Sequence, residues 1–273
     1  MKKIFEIKKE IKDNYGDIDI DYIFCEVLKI SFSDLVQVTE IKEKDYKKII
    51  KIAKKNVLKK EPLQKIFKQA YFYGRKFYVN SNVLTPRSDT ENLCEEVLKR
   101  YRNSERPLKI LDLCCGSGAI IITLCKELDN KINSYYASDI SFRALRVAKK
   151  NAKTCKADIN FIKSDMFKKI NEKFDVIVSN PPYIKTKDIN LLDDEVKNFD
   201  PKISLDGGAD GLDFYKIIAE NADKYLNENG MVFLEFGINQ AKDLIKLFEK
   251  DYKDVKIVKD FNNIDRILIA TRR

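Results

Sequence analysis

The sequence predicts an α/β protein in which helices cover both faces of a mostly parallel sheet, preceded by a small all-helical module and a β-hairpin. Three observations carry this. Over about the first 70 residues, apolar side chains recur at helical spacing, with Gly16 and Pro62 as the sole glycine and proline. Residues 71–84 (YFYGRKFYVNSNVL) are aromatic and β-branched around Gly74 and Asn80-Ser81-Asn82, a hairpin composition. From about residue 88, short apolar runs alternate with amphipathic stretches, as strands joined by crossover helices do.

The elements follow in order. The helical module repeats at Ile4, Ile7 and Ile11, then at Tyr22, Ile23, Val27 and Leu28, then at Ile49, Ile50, Ile52, Ala53 and Leu58. Ser33 and Asp34 read as a helix start. After the hairpin, Glu91, Leu93, Val97 and Leu98 form a helical stretch ahead of the strand KILDL at 109–113. Further strands are expected at SYYASDI, INFIKSD, FDVIVS, MVFLEF, VKIVKD and RILIATRR, with helices at 119–124, 142–153 and 239–250. The expected organisation is a helical domain at 1–70, a hairpin linker at 71–87 and an α/β domain at 88–273. In such a sheet, ligands bind beyond the carboxyl ends of the strands, near the point where strand order reverses.

Composition narrows the chemistry. The 273 residues include 52 Lys and Arg, 43 Asp and Glu, and no histidine, for a net charge of +9. Without histidine there is no imidazole base, no Ser-His-Asp triad and no His-metal site. The cysteines at 25, 94, 114, 115, 125 and 155 form no CxxC, so neither zinc spacing nor a disulfide framework is expected, and no metal site is predicted. The start, MKKIFEIKKE, lacks a signal-peptide pattern, and no apolar run reaches the ~18 residues of a membrane span. A reduced, cytoplasmic, enzyme-sized protein is expected. Charge is uneven: residues 1–80 carry +7 and the remainder only +2. Nine lysines between residues 42 and 60 read either as a solvated helix face or as an electrostatic docking face.

A nucleoside site can be read from three strand ends. Gly116 and Gly118 follow the first strand and open an apolar helix; such a turn needs permissive backbone angles and lets a ligand approach closely. The next strand ends in Asp139, whose carboxylate can accept from both hydroxyls of a ribose; as an alternative, Asp139 or Ser141 caps the following helix. The third ends in Ser164-Asp165-Met166-Phe167, a carboxylate beside two large apolar side chains, which suits an adenine. No GxxxxGK[ST] occurs, so this is not a P-loop protein. Asp112, beside the glycine turn, suits a cationic ligand better than a pyrophosphate. The sulfonium and amino group of S-adenosyl-L-methionine meet that description.

A reaction site follows the fourth strand at Asn180-Pro181-Pro182-Tyr183. Consecutive prolines hold the backbone rigid and fix the directions of the Asn180 side chain and the Pro181 carbonyl. Two acceptors aimed at one point can hold both hydrogens of a planar NH2 group and turn its lone pair toward an incoming methyl carbon. That is catalysis by positioning and polarisation, and needs no strong base. Tyr183 offers a flat surface for stacking.

The order DLCCGSG, ASDIS, KSDMF, SNPPYI resembles class I S-adenosylmethionine-dependent methyltransferases acting on planar NH2 nitrogens. EPLQKI at 61–66, FYG at 72–74, LTPRSDTE at 84–91, FDPKISLDGGADGLDFY at 199–215, LEFGINQ at 234–240 and DRILIA at 265–270 are similar to the HemK/PrmC family, N5-glutamine methyltransferases of peptide chain release factors. The resemblance spans essentially the whole chain. It implies a Rossmann-like, mostly parallel seven-stranded sheet. It implies that Cys114, Cys115, Gly116, Ser117 and Gly118, with Asp112, line the methionine part of the cofactor, that Asp139 binds ribose, and that Asp165 and Met166 flank adenine. It assigns Asn180, Pro181, Pro182 and Tyr183 to the glutamine amide, with Pro86, Arg87 and Glu91 as further walls. It implies docking of the release factor on the N-terminal domain, around a Gly-Gly-Gln segment. The chain departs from the frequent pattern at Cys114 (Gly), Cys115 (Thr), Ser88 (Pro) and Asp200 (Glu).

A monomer is expected, with no membrane partner and no direct nucleic-acid substrate. Three other functions stand beside the leading one: a ribosomal-protein glutamine methyltransferase, a nucleic-acid amino methyltransferase of the adenine-N6 type, and a non-catalytic cofactor-binding scaffold. The second would require a target-recognition module or an Arg/Lys–aromatic strip, neither of which the sequence contains.

Overall fold

The apolar spacing near the N-terminus becomes helices at Ile4–Tyr15, Ile20–Leu28, Phe32–Leu35, Glu43–Lys59 and Leu63–Phe67 in the computed structural model, which describes residues 1–128, 132–260 and 262–273. Each long helix buries one stripe: Ile4, Ile7 and Ile11 from the first, Ile49, Ile52 and Ala53 from the fourth. These close a core with Phe24, Leu35, Ile41 and Leu63. Asp19 caps the second helix by accepting from the Tyr22 amide, and Ser31 with Asp34 forms a capping box on the third, each worth about 1 kcal/mol. The module is not wholly helical: β1 (Lys2–Lys3) pairs antiparallel with β2 (Glu40–Ile41). Of the nine lysines at 42–60, all but Lys55 are exposed, and Lys55 pairs with Glu61 at 2.6 Å. Residues 1–68 form one compact unit together with 193–199, a segment that its place in the sequence assigns to the α/β domain.

The second unit comprises residues 69–192 and 200–273. It opens with a hairpin, β3 (Gln69–Phe72) and β4 (Arg75–Tyr78). Its turn is Tyr73-Gly74, with φ of +50° and +69°, the left-handed pair that a two-residue hairpin loop requires. Asn80–Asn82 lies beyond the hairpin, where the Asn80 side chain accepts from the Asn82 amide at 2.9 Å.

Seven strands form one sheet: β5 (Lys109–Leu113), β6 (Ser134–Asp139), β7 (Asn160–Lys163), β8 (Phe174–Ser179), β9 (Leu226–Glu235), β10 (Tyr252–Lys259) and β11 (Asp265–Arg272). Their spatial order is β10-β11-β9-β8-β5-β6-β7. β5 to β9 pair in parallel, and β11 runs antiparallel to both of its neighbours. Strand order reverses between β5 and β8, and there the Ser179 hydroxyl donates to the Leu113 carbonyl at 2.7 Å. Every residue of β8 is buried, as expected of a central strand covered on both faces. Helices Glu91–Tyr101, Ala119–Glu127 and Phe142–Cys155 pack on one face, and Asp213–Tyr225 and Ala241–Phe248 on the other. Among the described residues, no helix is long and apolar enough to cross a membrane.

One buried side chain joins hairpin, helix and glycine turn. Asn151, 1% exposed, accepts from the Tyr78 amide at 2.7 Å and donates to the carbonyls of Tyr78 and Ser117 at 3.0 and 2.9 Å. Asn151→Ala strands those backbone groups in the interior. Urea unfolding is expected to show a loss of about 2–4 kcal/mol, at the upper end of a single-residue effect.

Candidate active site

The carboxyl ends of β5, β6, β7 and β8 converge on a cleft of about 1160 Å³, solvent at its mouth included. After β5 the chain turns into a helix through three left-handed residues: Cys114 (φ +60°), Gly116 (+52°) and Gly118 (+78°). Cys114 stands in the small region open to L-residues at a cost of about 1 kcal/mol, so cysteine is tolerated there. Gly118 is more constrained, because a Cβ would come within 3.1 Å of both the Ala148 Cβ and the Ile122 side chain.

Asp139, at the end of β6, holds this turn. Its Oδ2 accepts from the Gly116 amide at 2.9 Å and its Oδ1 from the Ser141 amide at 2.8 Å. Burial raises its pKa, and the two amides oppose the rise. Ser141 caps the next helix, accepting from the Ala144 amide at 3.2 Å. Of the two, Ser141 supplies the helix cap. Each Asp139 oxygen keeps lone-pair capacity for a further donor. After β7, Ser164 bonds the Met166 carbonyl at 2.7 Å and accepts from the Lys169 amide at 2.9 Å. Met166 is itself left-handed (φ +45°), with its sulfur 3.7 Å from the Cys114 sulfur. The Asp165 carboxylate pairs with Lys168 at 2.6 Å.

Residues 114–117, 139–141, 164–166, Asn180 and Pro182 line the cleft, with Pro86, Arg87 and Thr90 on another flank. Arg87 pairs at 3.0 Å with the buried Asp200, which also accepts from the Thr85 amide at 3.1 Å. Five residues read from the sequence as site residues lie behind the lining: Asp112, Gly118, Glu91, Pro181 and Tyr183. Asp112 is fully buried and neither of its oxygens has a hydrogen bond of normal geometry. Burial lifts its pKa well above the usual carboxylate value, the Ile121 amide opposing and the Asp139 charge assisting. Glu91 instead accepts from the Tyr73 amide at 2.8 Å, fastening the hairpin turn. Among the described residues, no group of three or more His, Cys, Asp or Glu side chains is placed to hold a metal ion.

The Asn-Pro-Pro-Tyr segment is braced from later parts of the chain. The Ile184 amide donates to the Leu205 carbonyl at 2.9 Å, and the Gly207 amide to the Ile184 carbonyl at 2.8 Å. Gln240 donates to the carbonyls of Tyr183 and Gly211, each at 3.1 Å, and accepts from the Gly237 amide at 2.9 Å. Three glycines allow this approach. A Cβ at Gly207 would lie 2.8 Å from the Pro182 carbonyl oxygen, at Gly211 2.5 Å from the Tyr183 carbonyl oxygen, and at Gly237 2.9 Å from the Tyr183 ring. The DGGADG and EFG stretches are thus the packing surface of Tyr183. Burial pushes the Tyr183 phenol up to about 12.

Sequence reasoning missed Thr90 and Glu235. The Asn180 Nδ2 donates to the Thr90 hydroxyl at 3.1 Å. Glu235, 4% exposed at the end of β9, lies close enough to Thr90 and Asn180 for both to favour its charge. A lone acidic residue closing the apolar run MVFLEF was the signal available for Glu235; nothing comparable marked Thr90.

Comparison with known proteins agrees with this geometry. Residues 90–196 match the family model "Methyltransferase small domain". The chain is 40% identical over 261 residues to the release factor glutamine methyltransferase of Fusobacterium nucleatum, covering 93% of this chain and 73% of the relative. It is 38% identical to that of Thermodesulfovibrio yellowstonii, covering 100% of this chain and 99% of the relative, and 37% identical to that of Bacillus cereus, covering 94% and 92%. Among solved structures, a methyltransferase from Pyrococcus furiosus superposes with a TM-score of 0.54 at 18% identity, covering 76% of this chain and 93% of the other. The 16S rRNA N2 G1207 methyltransferase of T. thermophilus, solved with AdoMet and guanosine, gives 0.52 at 16% identity, covering 75% and 50%. These two support the fold. The fold is that of the class I methyltransferases, and the chain belongs to the release factor glutamine methyltransferase family.

Proposed function

We propose that the cleft binds S-adenosyl-L-methionine and presents it to the side-chain amide of the glutamine in the Gly-Gly-Gln segment of a peptide chain release factor, which is methylated on N5. The residues fit the cofactor. The left-handed turn at 114–118 exposes backbone where side chains would intrude, the Asp139 oxygens retain acceptor capacity for a ribose, and Met166 and Ile140 give apolar walls for an adenine beside Asp165. The bound cofactor supplies an electrophilic methyl group on a sulfonium.

The observation that carries the reading is the Asn180 amide. Its Nδ2 is committed to Thr90, which leaves Oδ1 as an acceptor at the wall of the cleft. An acceptor is what a glutamine NH2 group needs. In this reading the second hydrogen goes to the Pro181 carbonyl, which the substrate amide must reach past the lining residues Asn180 and Pro182, and Tyr183, held by Gln240 and three glycines, backs the planar amide. Holding both hydrogens in plane exposes the nitrogen lone pair out of plane, so the chain activates a poor nucleophile by orientation alone. The same reading makes residues 1–70 the docking domain for the release factor, aided by its +7 charge through residue 80. It describes a monomer working in the cytoplasm, with a protein and not a nucleic acid as substrate.

Three measurements test this. Incubation with labelled S-adenosylmethionine is expected to label wild-type release factor and leave a Gln→Ala variant of its Gly-Gly-Gln segment unlabelled. Label on both would refute the assigned site. Asn180→Ala is expected to lower kcat by about 100-fold or more while calorimetry finds the cofactor Kd within about threefold. Asp139→Ala removes a carboxylate that accepts from the glycine turn and, in this reading, from ribose; cofactor affinity is expected to fall about 10- to 100-fold.

A further inference from the structure

We propose that Thr90 and Glu235 form a relay behind Asn180 that fixes which end of its amide faces the cleft, making both positioning residues for the methyl transfer assigned above. The inference rests on that assignment for its consequence, and on geometry for its substance. β8 and β9 pair with Ser179 opposite Leu234, so the next residues, Asn180 and Glu235, leave the sheet side by side. Thr90, 5% exposed, follows the Pro86–Arg87 flank and accepts from Asn180 Nδ2 at 3.1 Å.

A threonine hydroxyl has one proton to give. One of its two lone pairs is taken by Asn180, and the Glu235 carboxylate, carried beside Asn180 by the β8–β9 register, is the acceptor at hand for that proton. Glu235 Oε2 is buried without a hydrogen bond of normal geometry, an expensive arrangement for a purely structural side chain. The groups facing Glu235 are Asp89, Arg266, Cys94, Tyr183 and Tyr215. Of these, Tyr215 spends its hydroxyl on the Glu235 backbone carbonyl at 2.7 Å. Burial pushes the Glu235 carboxyl up to about 7, with Thr90, Arg266 and Asn180 pulling it down and Asp89 adding to the rise.

The direction of the relay follows from charge state. An ionised carboxylate only accepts, so it draws the Thr90 proton. Thr90 then accepts from Asn180 Nδ2, and Oδ1 faces the substrate. A protonated Glu235 donates to Thr90 instead. The Thr90 proton, having lost its acceptor, finds one in Asn180 Oδ1 if the amide turns, and the turned amide would oppose its NH2 to the NH2 of the glutamine. Activity therefore belongs to the ionised form and rises with pH through the Glu235 pKa.

The test is the pH dependence of kcat at saturating cofactor and release factor. Wild type is expected to rise with unit slope to a plateau above an apparent pKa of about 7. Glu235→Gln is expected to lose that acid limb and to be about 10-fold slower at the plateau. Thr90→Val is expected to lower kcat about 10- to 100-fold with the cofactor Kd within about threefold, and Thr90→Ser to stay within about threefold of wild type. An acid limb unchanged in Glu235→Gln, or an unchanged kcat in Thr90→Val, overturns the relay. A second readout needs no substrate. The Asn180 side-chain NH2 resonances, assigned by their loss in Asn180→Ser, should shift with the same apparent pKa in wild type and not in Glu235→Gln. If wild type transfers no methyl to release factor, the functional assignment fails and these resonances decide the relay; resonances that ignore pH between 5 and 9, about two units either side of 7, overturn it.

Discussion

The site depends on one carboxylate gripping one turn. Between β5 and its helix, the chain must reverse through three left-handed residues, and no side chain of the turn itself pays for them. Asp139 supplies the stabilisation from the neighbouring strand, accepting from Gly116 with one oxygen and from Ser141 with the other. The same contact joins the start of two crossover helices. It also explains why a cysteine can stand at position 114: the conformation is imposed by the frame and lies within the range an L-residue reaches.

Around that frame the two halves of the site are built differently. The half proposed to hold the cofactor uses backbone shape and a few carboxylates at consecutive strand ends. The half proposed to hold the substrate amide uses a segment with little conformational freedom of its own, buttressed by glycines at 207, 211 and 237 and by Gln240. A poor nucleophile oriented by acceptors requires this rigidity, because misdirecting an acceptor by about 1 Å can forfeit much of the benefit. The chain contains no histidine, and a chemistry of orientation does not call for one.

Much of this was legible in the sequence, for identifiable reasons. Nine glycines in 273 residues made Gly116 and Gly118 informative, and alternation of strand and helix put Asp139, Asp165 and Asn180 at successive strand ends. What escaped depends on long-range contact. The association of residues 193–199 with the N-terminal unit leaves no local trace, nor does the two-residue pairing of β1 with β2. The hairpin turn fell at Tyr73-Gly74 because φ is positive at both residues there, while Asn80 serves a separate turn. Asp112 looked like a cofactor residue from its place beside the glycine turn, yet its side chain alternates to the interior. Thr90 gains meaning only once β8 and β9 lie side by side.

The bracing of the Asn-Pro-Pro-Tyr segment has a consequence for biosynthesis. The strand-end turns at 114–118, 139–141 and 164–166 are all made by residue 166, but the braces of Tyr183 come from residues 205–211, 237 and 240. A nascent chain emerging from the ribosome therefore acquires the turns of the cleft before the parts that stiffen its Asn-Pro-Pro-Tyr segment. The order of synthesis thus places the strand-end turns ahead of the contacts that stiffen the Asn-Pro-Pro-Tyr segment, which wait for the last quarter of the polypeptide.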